Sequence, residues 1–275
     1  MKSGLKGQVV LVTGASGGIG SGIARAFAAE GARLILHYRS NQSAVEGLRK
    51  ELGDVETLSL QADLSNEEEV ESLFNRALAH FGRIDTLVAN AGAWELQDVP
   101  MHQMSLKQWK QTLDNLLTGV FLSLRSFLQH VERSKRGNAI LIGSTAAVFG
   151  EAGHADYAAT KSALAYGLTR TIKNELGRLA PHTRDYCGGR INCVCPGWTV
   201  VPRTASKFKD EDTARKVGST LALPKVARPR DIANMVVFLA SDRLAGHITG
   251  ETMVVSAGME GRQLWGEDEI NSALM

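Results

Sequence analysis

Tyr157 and Lys161 lie four positions apart in the second half of the chain. In a helix this spacing places both side chains on one face, one turn apart. A lysine ammonium beside a phenol favours the phenolate and lowers the pKa of the phenol from about 10 toward working pH. The pair is therefore suited to give a proton to a carbonyl oxygen as a general acid. Taken alone, however, the spacing is common and usually joins two unrelated surface residues.

A third chemical group, Ser144, follows Gly143 at the end of a predicted strand. A hydroxyl at this point can hydrogen-bond a carbonyl oxygen while negative charge develops on it. The Tyr-x-x-x-Lys pair gains its significance from this serine and from a glycine-rich loop near the start of the chain.

That loop comprises residues 13–20, with Gly14, Gly18 and Gly20 in a Gly-x-x-x-Gly-x-Gly spacing. It stands between an apolar strand and a helix, whose free N–H groups and positive dipole end bind phosphate. The glycines permit a sharp turn and the close approach of a pyrophosphate. Many turns are glycine-rich for steric reasons alone, but the strand–loop–helix context favours nucleotide binding.

Apolar strands alternate with amphipathic helices along the whole chain. This alternation predicts a doubly wound, parallel α/β sheet of the Rossmann type, covered on both faces and forming a single domain. The predicted strands are residues 9–13, 33–37, 56–61, 86–89, 139–142, 190–194 and 252–255. The predicted helices lie near residues 20–30, 43–52, 66–81, 105–131, 157–179 and 230–241.

Ligands of such sheets bind outside the carboxyl ends of the strands, so the residues that follow each strand are candidates for contact. No acidic residue follows the second strand, where one would accept the ribose hydroxyls of NAD. Arg39 stands there instead and can pair with a 2′-phosphate, or it is a solvated surface arginine. Asp63 and Leu64 follow the third strand, in position to contact an adenine. The small residues after the fourth strand would let a cofactor lie against the backbone; they are Asn90, Ala91 and Gly92.

The composition is that of an ordinary globular protein. The 275 residues are 44% hydrophobic and 22% charged, with a formal net charge of +2, so no nucleic-acid or membrane partner is predicted. No apolar run approaches the roughly 18 residues that span a bilayer, and the polar first seven residues do not resemble a secretory signal. Three cysteines are expected to be buried and reduced rather than metal ligands, which predicts a cytoplasmic location; they are Cys187, Cys193 and Cys195.

Taken together, these motifs resemble the short-chain dehydrogenase/reductase family over roughly residues 5–258. The similarity is to its compact one-domain branch, near the 3-oxoacyl-carrier-protein reductases and related alcohol dehydrogenases, with residues 259–275 as a C-terminal extension. The motifs stand in the family's order: Thr13-Gly14-x-x-x-Gly18-Ile19-Gly20, Asn90-Ala91-Gly92, Ser144, Tyr157-x-x-x-Lys161, Pro196-Gly197 and Ile248-Thr249-Gly250.

The resemblance implies hydride transfer between a nicotinamide and a carbon bearing oxygen, on a small carbonyl or alcohol substrate. It makes Tyr157 the acid/base, Lys161 a ribose ligand that lowers the pKa of Tyr157, and Ser144 the residue that orients the substrate oxygen. A basic residue at Arg39 goes with a preference for NADP. The implied cofactor-binding residues are Gly14, Ser16, Gly18, Ile19, Gly20, Arg39, Ser40, Asp63, Leu64, Asn90, Ala91, Gly92, Tyr157, Lys161, Pro196, Gly197 and Thr199.

The resemblance also implies a homotetramer built on paired helices. Small residues of the Tyr157 helix and large apolar residues of the preceding helix offer more apolar surface than one sheet face needs. The small residues are Ala158, Ala159, Ser162, Ala163 and Ala165, and the large ones are Phe121, Leu124, Phe127 and Leu128.

The chain departs from the family pattern in its fourth helix. Leu116 occupies the position of the family's asparagine, which is thought to hold a water of the proton relay, and Asn115 stands one residue earlier. Either the helix bulges so that Asn115 turns inward, or solvent reaches Lys161 by another path. We expect the second, because Leu116 fits the apolar stripe of an unbulged helix.

Further departures lie outside the catalytic motifs. Val201 stands where the family often has a threonine, with Thr199 two residues earlier. An insertion at residues 181–189 is expected at the amino end of the sheet, opposite the site. Residues 198–224 are expected to cover the site as a lid, Trp94 lines an apolar site or packs within its loop, and the tail at 261–275 is expected to pack on a neighbouring subunit.

Two other functions remain open at this stage. The chain can be a non-catalytic NADP-binding regulatory protein, although such a protein has no need for Ser144, Tyr157 and Lys161 together. It can also be a sugar-nucleotide epimerase or dehydratase, which shares Tyr-x-x-x-Lys. The Asn90-Ala91-Gly92 segment and the lack of a second substrate domain disfavour that reading.

Overall fold

The computed structural model describes residues 2–92, 95, 97–259, 265–271 and 273. Within this part of the chain, seven parallel strands form one sheet in the order β3-β2-β1-β4-β5-β6-β7. The order reverses after β1, which is the doubly wound arrangement that the alternation of strands and helices predicts. The strands are β1 (Val9–Val12), β2 (Arg33–Tyr38), β3 (Thr57–Gln61), β4 (Thr86–Ala89), β5 (Asn138–Ile142), β6 (Arg190–Pro196) and β7 (Thr252–Val255).

Helices cover both faces of this sheet, as expected. They are α1 (Gly18–Ala29), α2 (Gln42–Leu52), α3 (Glu67–Phe81), α4 (Leu106–Leu113), α5 (Gly119–Ser134), α6 (Ala146–Phe149), α7 (Ala155–Ser162), α8 (Thr169–Leu179), α9 (Glu211–Ser219), α10 (Pro229–Ala240) and α11 (Asp242–Ala245). Short 3₁₀ turns occur at Met101–Gln103, Lys207–Lys209 and Glu267–Glu269.

Alternation along the strands divides the apolar residues between two cores. In β1, Val9 and Leu11 face one core, while Val10 and Val12 face the other, because successive strand residues point to opposite faces. The first core lies under α3, α5 and α8, and the second lies under α1, α2 and α10. Burial on both faces is why the strands read as continuous apolar runs in the sequence.

Two long helices of the sequence-based prediction are interrupted by π-helical turns. Asp114–Thr118 separates α4 from α5, and Ala163–Leu168 separates α7 from α8. A π turn inserts one residue and shifts the side chains that follow around the helix, and such turns concentrate at functional sites. Both interruptions adjoin the chemical groups identified from the sequence.

The helix starts follow local capping chemistry. The side chains of Asn41, Asn66 and Ser105 each accept a hydrogen bond from the backbone N–H three residues later, at the starts of α2, α3 and α4. At its other end α3 stops at Gly82, which takes the left-handed conformation with φ of 71°.

All three cysteines lie within the described residues. Their thiols are all free, and Cys193 and Cys195 are buried with their Sγ atoms 3.9 Å apart. Cys187 is only half-buried, so the expectation of full burial was wrong for it, because it lies in the insertion before β6.

Within the described part of the chain, no helix has the length and apolar character needed to cross a bilayer.

Candidate active site

The glycine-rich loop joins β1 to α1 at the carboxyl edge of the sheet. Gly14 has φ of 66°, and a Cβ there would lie 2.8 Å from the Cα of Ala91. A Cβ at Gly20 would overlap the carbonyl oxygen of Gly14. These glycines therefore allow the loop to fold back against the end of β4, as the predicted sharp turn requires.

The segment after β4 holds this loop with specific hydrogen bonds. The Asn90 amide donates to the carbonyl oxygens of Thr13, at 2.9 Å, and Gly14, at 3.3 Å. In return, the Thr13 hydroxyl accepts from the N–H groups of Asn90 and Ala91, each at 2.9 Å. The side chains of Thr13 and Asn90 thus fix the loop from below, and Thr13 was not among the site residues inferred from the sequence.

A second residue that sequence reasoning missed, His37, also holds the loop. Its Nδ1 lies 3.0 Å from the N–H of Gly14, and its Nε2 lies 3.0 Å from the carbonyl oxygen of Ala62. A polar residue inside the apolar run Arg33–Tyr38 was the available signal.

The residues beyond this loop fit a dinucleotide with phosphate groups. The first-turn N–H groups of α1, from Gly18 onward, have no acceptor within the helix and carry the positive end of its dipole. Arg39 is exposed at the end of β2, and its backbone carbonyl accepts from the Gln61 amide at 2.9 Å. Ser40 follows it and is also exposed. A positive helix end and a nearby cation suit an anionic ligand.

Asp63 stands beside Arg39, after β3. Its carboxylate accepts from the Ser65 hydroxyl at 2.7 Å and from the Ser65 N–H at 3.0 Å. These bonds, with a smaller contribution from the Arg39 charge, lower the pKa of Asp63, so the carboxylate is ionised. Leu64, the next residue, is buried in the core below and is 8% exposed.

Ser144, Tyr157 and Lys161 come together at the carboxyl end of β5. Ser144 follows that strand, and its Oγ accepts from the N–H of Ala146 at 3.1 Å while its hydroxyl is hydrogen-bonded to that of Tyr157. Lys161 lies one turn beyond Tyr157, with Nζ 5.8 Å from the centre of the phenol ring. The Lys161 ammonium donates to the carbonyl oxygen of Ile142 at 2.7 Å.

The expected lowering of the tyrosine pKa is not what this arrangement produces. Tyr157 is 7% exposed, and burial raises the pKa of its phenol to about 12, against a smaller lowering by the Ser144 hydrogen bond. Burial also lowers the pKa of Lys161 to about 8. Desolvation, which disfavours both charged forms, is therefore the largest cause of the shift at each residue.

A buried carboxylate next to the tyrosine was missed in the sequence. Asp156 is 2% exposed, and its Oδ2 accepts from the Thr112 hydroxyl at 2.6 Å and from the Gln108 amide at 3.3 Å. Its Oδ1 accepts from the N–H of Tyr157 at 2.9 Å. Asp156 thus joins α4 to the first turn of α7 and fixes the start of the helix that carries Tyr157 and Lys161.

The expectation of an unbulged helix at Leu116 was wrong, because the π turn Asp114–Thr118 lies there. The alternative, in which Asn115 turns toward Lys161, is not observed either. Asn115 instead accepts from Arg39 Nη1 at 3.2 Å. Leu116 is 1% exposed and packs against Tyr157, so an apolar side chain occupies the place that the sequence comparison assigns to an amide.

Gly92 lies in close contact with the side chain of Leu116. A Cβ on Gly92 would overlap Cδ2 of Leu116. The β4 loop and the π turn are thus in close contact at this point, and a larger residue at position 92 requires the Leu116 side chain to move.

The segment after β6 begins the lid. Gly197 lies against Ser256, whose Cβ is 2.8 Å from an ideal Cβ on the glycine. The hydroxyl of Thr199 donates to the Gly197 carbonyl at 2.9 Å, so it is already partnered within the loop. Val201 approaches the glycine-rich loop, with its Cβ 2.6 Å from an ideal Cβ on Gly18. Pro196 ends β6 and is buried.

The predicted lid, residues 198–224, carries α9 and shares a small apolar cluster, called here the lid cluster, with Val226, Ala257 and Met259. Val217, Leu221 and Val226 are buried in this lid cluster, and Trp198 meets Phe208 edge-on with ring centres 5.8 Å apart. The segment 198–224, predicted as a loop, thus contains the helix α9.

The described part of the tail packs on this lid within the same chain. The Trp265 indole donates to the Leu221 carbonyl at 2.7 Å, and Arg215 donates to the Ile270 carbonyl at 3.1 Å. Ile270 is buried, at 2% exposure. These residues contact α9 and the segment after it, while the expected packing of the tail on a neighbouring subunit stays a prediction. Trp94 and tail residues 261–264, 272, 274 and 275 lie outside the described residues.

The insertion at 181–189 lies at the amino end of the sheet, away from Tyr157, as predicted. Tyr186 anchors it: its hydroxyl accepts from the N–H of Gly137 at 2.9 Å, just before β5, and the Arg136 guanidinium lies 4.6 Å from its ring centre.

Comparison with known proteins agrees with this geometry. Residues 14–260 match the family described as enoyl-(acyl carrier protein) reductase. A 3-oxoacyl-[acyl-carrier-protein] reductase of Synechocystis is 34% identical over 257 residues, covering 93% of this chain and 98% of the relative.

Two other curated relatives have similar coverage. The 3beta-hydroxysteroid dehydrogenase 1 of Eggerthella lenta is 34% identical over 93% of this chain and 94% of its own length. A 3-oxoacyl-[acyl-carrier-protein] reductase of Staphylococcus epidermidis is 33% identical over 90% and 97%. The chain belongs to the short-chain dehydrogenase/reductase family and is an oxidoreductase that acts on CH–OH or C=O groups with a nicotinamide cofactor.

Proposed function

We propose that this protein is an NADP-dependent carbonyl reductase or alcohol dehydrogenase, with Tyr157, Ser144 and Lys161 as its catalytic residues. The observation that carries the proposal is the buried Tyr157 hydroxyl, hydrogen-bonded to Ser144 and one helical turn from the Lys161 ammonium. The nicotinamide, when bound, supplies or accepts the hydride.

In the reducing direction, Tyr157 gives its hydroxyl proton to the substrate carbonyl oxygen. A phenol with a pKa of about 12 is protonated at neutral pH, which is the form that an acid needs. Ser144 donates a hydrogen bond to the same oxygen as it gains charge. Lys161, with a pKa of about 8, is mainly an ammonium at neutral pH and stabilises the phenolate left behind.

The cofactor is proposed to lie along the carboxyl edge of the sheet. Its phosphates would meet the first turn of α1, its adenosine end would meet Arg39 and Asp63, and its nicotinamide end would meet Lys161 and the start of the lid. Support comes from the exposed Arg39 cation at the end of β2, where no carboxylate accepts ribose hydroxyls. The same argument favours NADP over NAD.

The substrate is proposed to be a small carbonyl compound or secondary alcohol. The relatives are named for 3-oxoacyl-[acyl-carrier-protein] and for a 3beta-hydroxysteroid, which are a thioester-linked chain and a fused ring system. A panel that contains both classes, scored by NADPH oxidation and NADP reduction, identifies the class. The non-catalytic alternative loses support because these relatives are named as reductases and a dehydrogenase.

Replacing Tyr157 by Phe tests the mechanism. Turnover is expected to fall by about 100- to 10,000-fold, because the general acid is removed. The dissociation constant of NADPH, measured by calorimetry, should change less than about threefold, since no phosphate contact is lost. The matched control is Tyr186→Phe in the insertion, which should leave turnover unchanged. A Tyr157→Phe enzyme that keeps more than about a tenth of wild-type turnover would remove Tyr157 from the mechanism.

A homotetramer is proposed as the working assembly. Leu124 and Phe127 fill the protein's own core, so the expected apolar surplus is smaller than predicted. Phe121 and Tyr166 nevertheless remain 49% and 37% exposed on the same face, each beside an arginine, and large exposed aromatics mark interfaces. Light scattering that returns the protomer mass of 29.6 kDa at micromolar concentration would contradict the tetramer.

The three free thiols suit a reducing compartment such as the cytoplasm.

A further inference from the structure

His37 is a buried histidine whose two ring nitrogens both have partners. The residue is 2% exposed, near the end of β2. Nδ1 lies 3.0 Å from the N–H of Gly14, and Nε2 lies 3.0 Å from the carbonyl oxygen of Ala62. The ring therefore spans the gap between the glycine-rich loop and the end of β3.

These partners determine which ring nitrogen carries the proton. A backbone N–H can only donate, so Nδ1 must be an unprotonated acceptor toward Gly14. A carbonyl oxygen can only accept, so Nε2 must carry the hydrogen toward Ala62. Only the neutral Nε2–H tautomer satisfies both bonds, and a second proton on the ring would break the bond with Gly14.

The backbone of His37 holds the next residue of the loop. Its carbonyl oxygen accepts from the N–H of Ala15 at 2.9 Å. The first two N–H groups after Thr13 are thus committed to His37, and Gly17 donates to the Gly14 carbonyl at 3.0 Å. Gly14 therefore gives the loop its shape, and these bonds leave the N–H groups of Ser16 and of the first turn of α1 for a phosphate.

The other end of the ring touches the adenosine side of the proposed cofactor site. Ala62 immediately precedes Asp63, so a change at His37 acts on both the loop and the end of β3. The charges that act on the ring are the Asp63 carboxylate, which raises the pKa of His37, and the Arg39 guanidinium, which lowers it. Burial outweighs both and lowers the pKa below its ordinary value.

We propose that His37 is a positioning residue that sets the dinucleotide affinity of this protein, and that a proton on its Nδ1 releases Gly14 and weakens cofactor binding at acidic pH. The inference rests on the proposed function, since it takes the glycine-rich loop as the cofactor's binding loop. His37 itself does not touch the cofactor. It acts through the N–H of Gly14 and the shape that this bond gives to the loop.

The sign of the pH effect follows from the lowered pKa. At neutral pH the ring is neutral and the loop is held, so affinity is constant there. As the pH falls through the folded-state pKa, which lies below the ordinary value of about 6.5, protonation breaks the bond and affinity declines. Below that pKa the affinity should fall by up to about tenfold per pH unit, and the fall ends once the bound form is protonated as well.

Two amide substitutions separate the two bonds. In His37→Asn the side-chain oxygen stands where Nδ1 stands and can accept from Gly14, whereas the contact with Ala62 is lost. In His37→Gln the longer side chain places an amide N–H near Nε2, so Ala62 keeps its donor and Gly14 loses its acceptor. Neither replacement titrates, and both keep a polar group inside the fold.

The experiment measures NADPH dissociation constants by calorimetry from pH 5.5 to 8.5, and Gly14 amide exchange in the cofactor-free protein. At pH 7.5, His37→Asn should bind within about threefold of wild type, while His37→Gln should bind about tenfold more weakly, the effect of one lost hydrogen bond. The acid decline of wild type should be absent in His37→Asn. Gly14 exchange should be slow in wild type and His37→Asn and fast in His37→Gln.

Thermal unfolding of both variants is the control for a merely structural role. The phosphates of NADPH also titrate near pH 6, but comparing wild type with His37→Asn on the same ligand removes that contribution. The proposal is overturned if His37→Gln binds as tightly as wild type, if the wild type shows no acid decline, or if His37→Asn keeps that decline. If the wild type binds neither NADPH nor NADH, the proposed function fails as well. That result differs from a failure of the His37 proposal alone, in which the wild type binds the cofactor but the variants do not differ from it as expected.

Discussion

The half of the molecule proposed to bind the cofactor and the half proposed to cover the substrate are built differently. The glycine-rich loop rests on the two large cores of the sheet and is held by hydrogen bonds of the buried Thr13 and His37 side chains and of the half-buried Asn90 side chain. The lid has a separate small cluster around Val217 and is tied to the tail by a few hydrogen bonds.

The difference indicates where each half obtains its specificity. A loop fixed by several partly buried hydrogen bonds is pre-organised, so binding costs little ordering of the backbone. A lid with few buried contacts opens at low free energy, which substrate entry requires. We therefore expect substitutions in the cofactor half to change affinity sharply, and substitutions in the lid to change the Michaelis constant modestly.

The largest expected effect is that of Gly20→Ala. The added Cβ would overlap the Gly14 carbonyl oxygen and lie 2.7 Å from Nδ2 of Asn90, so the loop must shift. Dinucleotide affinity should fall at least about 100-fold, measured by calorimetry, because small displacements of a binding loop are costly. Gly47→Ala is the control: nothing lies within 4 Å of its added Cβ, and α2 should gain about 0.5–1 kcal/mol. Equal affinities in the two variants would contradict the rigid loop.

Arg39→Asp should have the next largest effect. It removes a charge-assisted contact with the 2′-phosphate, worth about 1.5–3 kcal/mol, so the preference for NADPH over NADH should fall by about 10- to 150-fold. Dissociation constants for both cofactors give this ratio. Arg49→Asp, which replaces a surface arginine of α2 paired with Glu46, should leave the ratio unchanged. An unchanged ratio in Arg39→Asp would make that residue a solvated surface charge.

A third prediction concerns pH and the catalytic lysine. Reduction needs the Lys161 ammonium, whose pKa is about 8, while Tyr157, at about 12, stays protonated throughout. The turnover number should therefore be constant from pH 6 to 7.5 and fall by about tenfold per unit well above pH 8. Asn115→Ala should keep this profile, because Asn115 faces Arg39. If that variant loses turnover as severely as Lys161→Ala does, the proton path runs through Asn115.

The smallest expected effect is that of Trp265→Ala in the tail. Loss of the indole hydrogen bond to Leu221 should loosen the lid and raise the Michaelis constant for the substrate by about three- to tenfold. NADPH affinity should stay the same, since the glycine-rich loop is anchored elsewhere. Leu223→Ala, at an exposed lid residue that is 56% accessible, is the control and should change neither constant. A parallel loss of cofactor affinity in Trp265→Ala would show that the halves are coupled.

The sheet was predictable because its signals are local. Apolar runs fix the strands, and small residues at Gly14 and Gly92 mark where loops turn back at the carboxyl edge. The family resemblance then identified Ser144, Tyr157 and Lys161, which the structure brings together.

The parts that escaped prediction depend on contacts between distant segments. Leu116 fits an apolar stripe in either a regular or a π-helical backbone, so its sequence context could not reveal the bulge. His37 sits in an apolar strand, and only the fold brings Gly14 and Ala62 to its ring. Asp156 accepts hydrogen bonds from Thr112 and Gln108 of α4, which lie 44 and 48 residues earlier in the chain. The pKa of Tyr157 depended on burial that spacing does not reveal.

The contact between Gly92 and Leu116 restricts the order in which these two positions can change during evolution. In the rotamer that Leu116 adopts, a Cβ at position 92 overlaps its terminal Cδ2, so a substitution there requires the leucine side chain to move. A smaller residue at 116 would open room for alanine at 92, and the double variant should be less damaged than the sum of its parts. The residues tolerated at position 92 therefore depend on the side chain at position 116, more than twenty positions later in the chain. Lineages that keep a bulky residue at 116 are expected to keep glycine at 92.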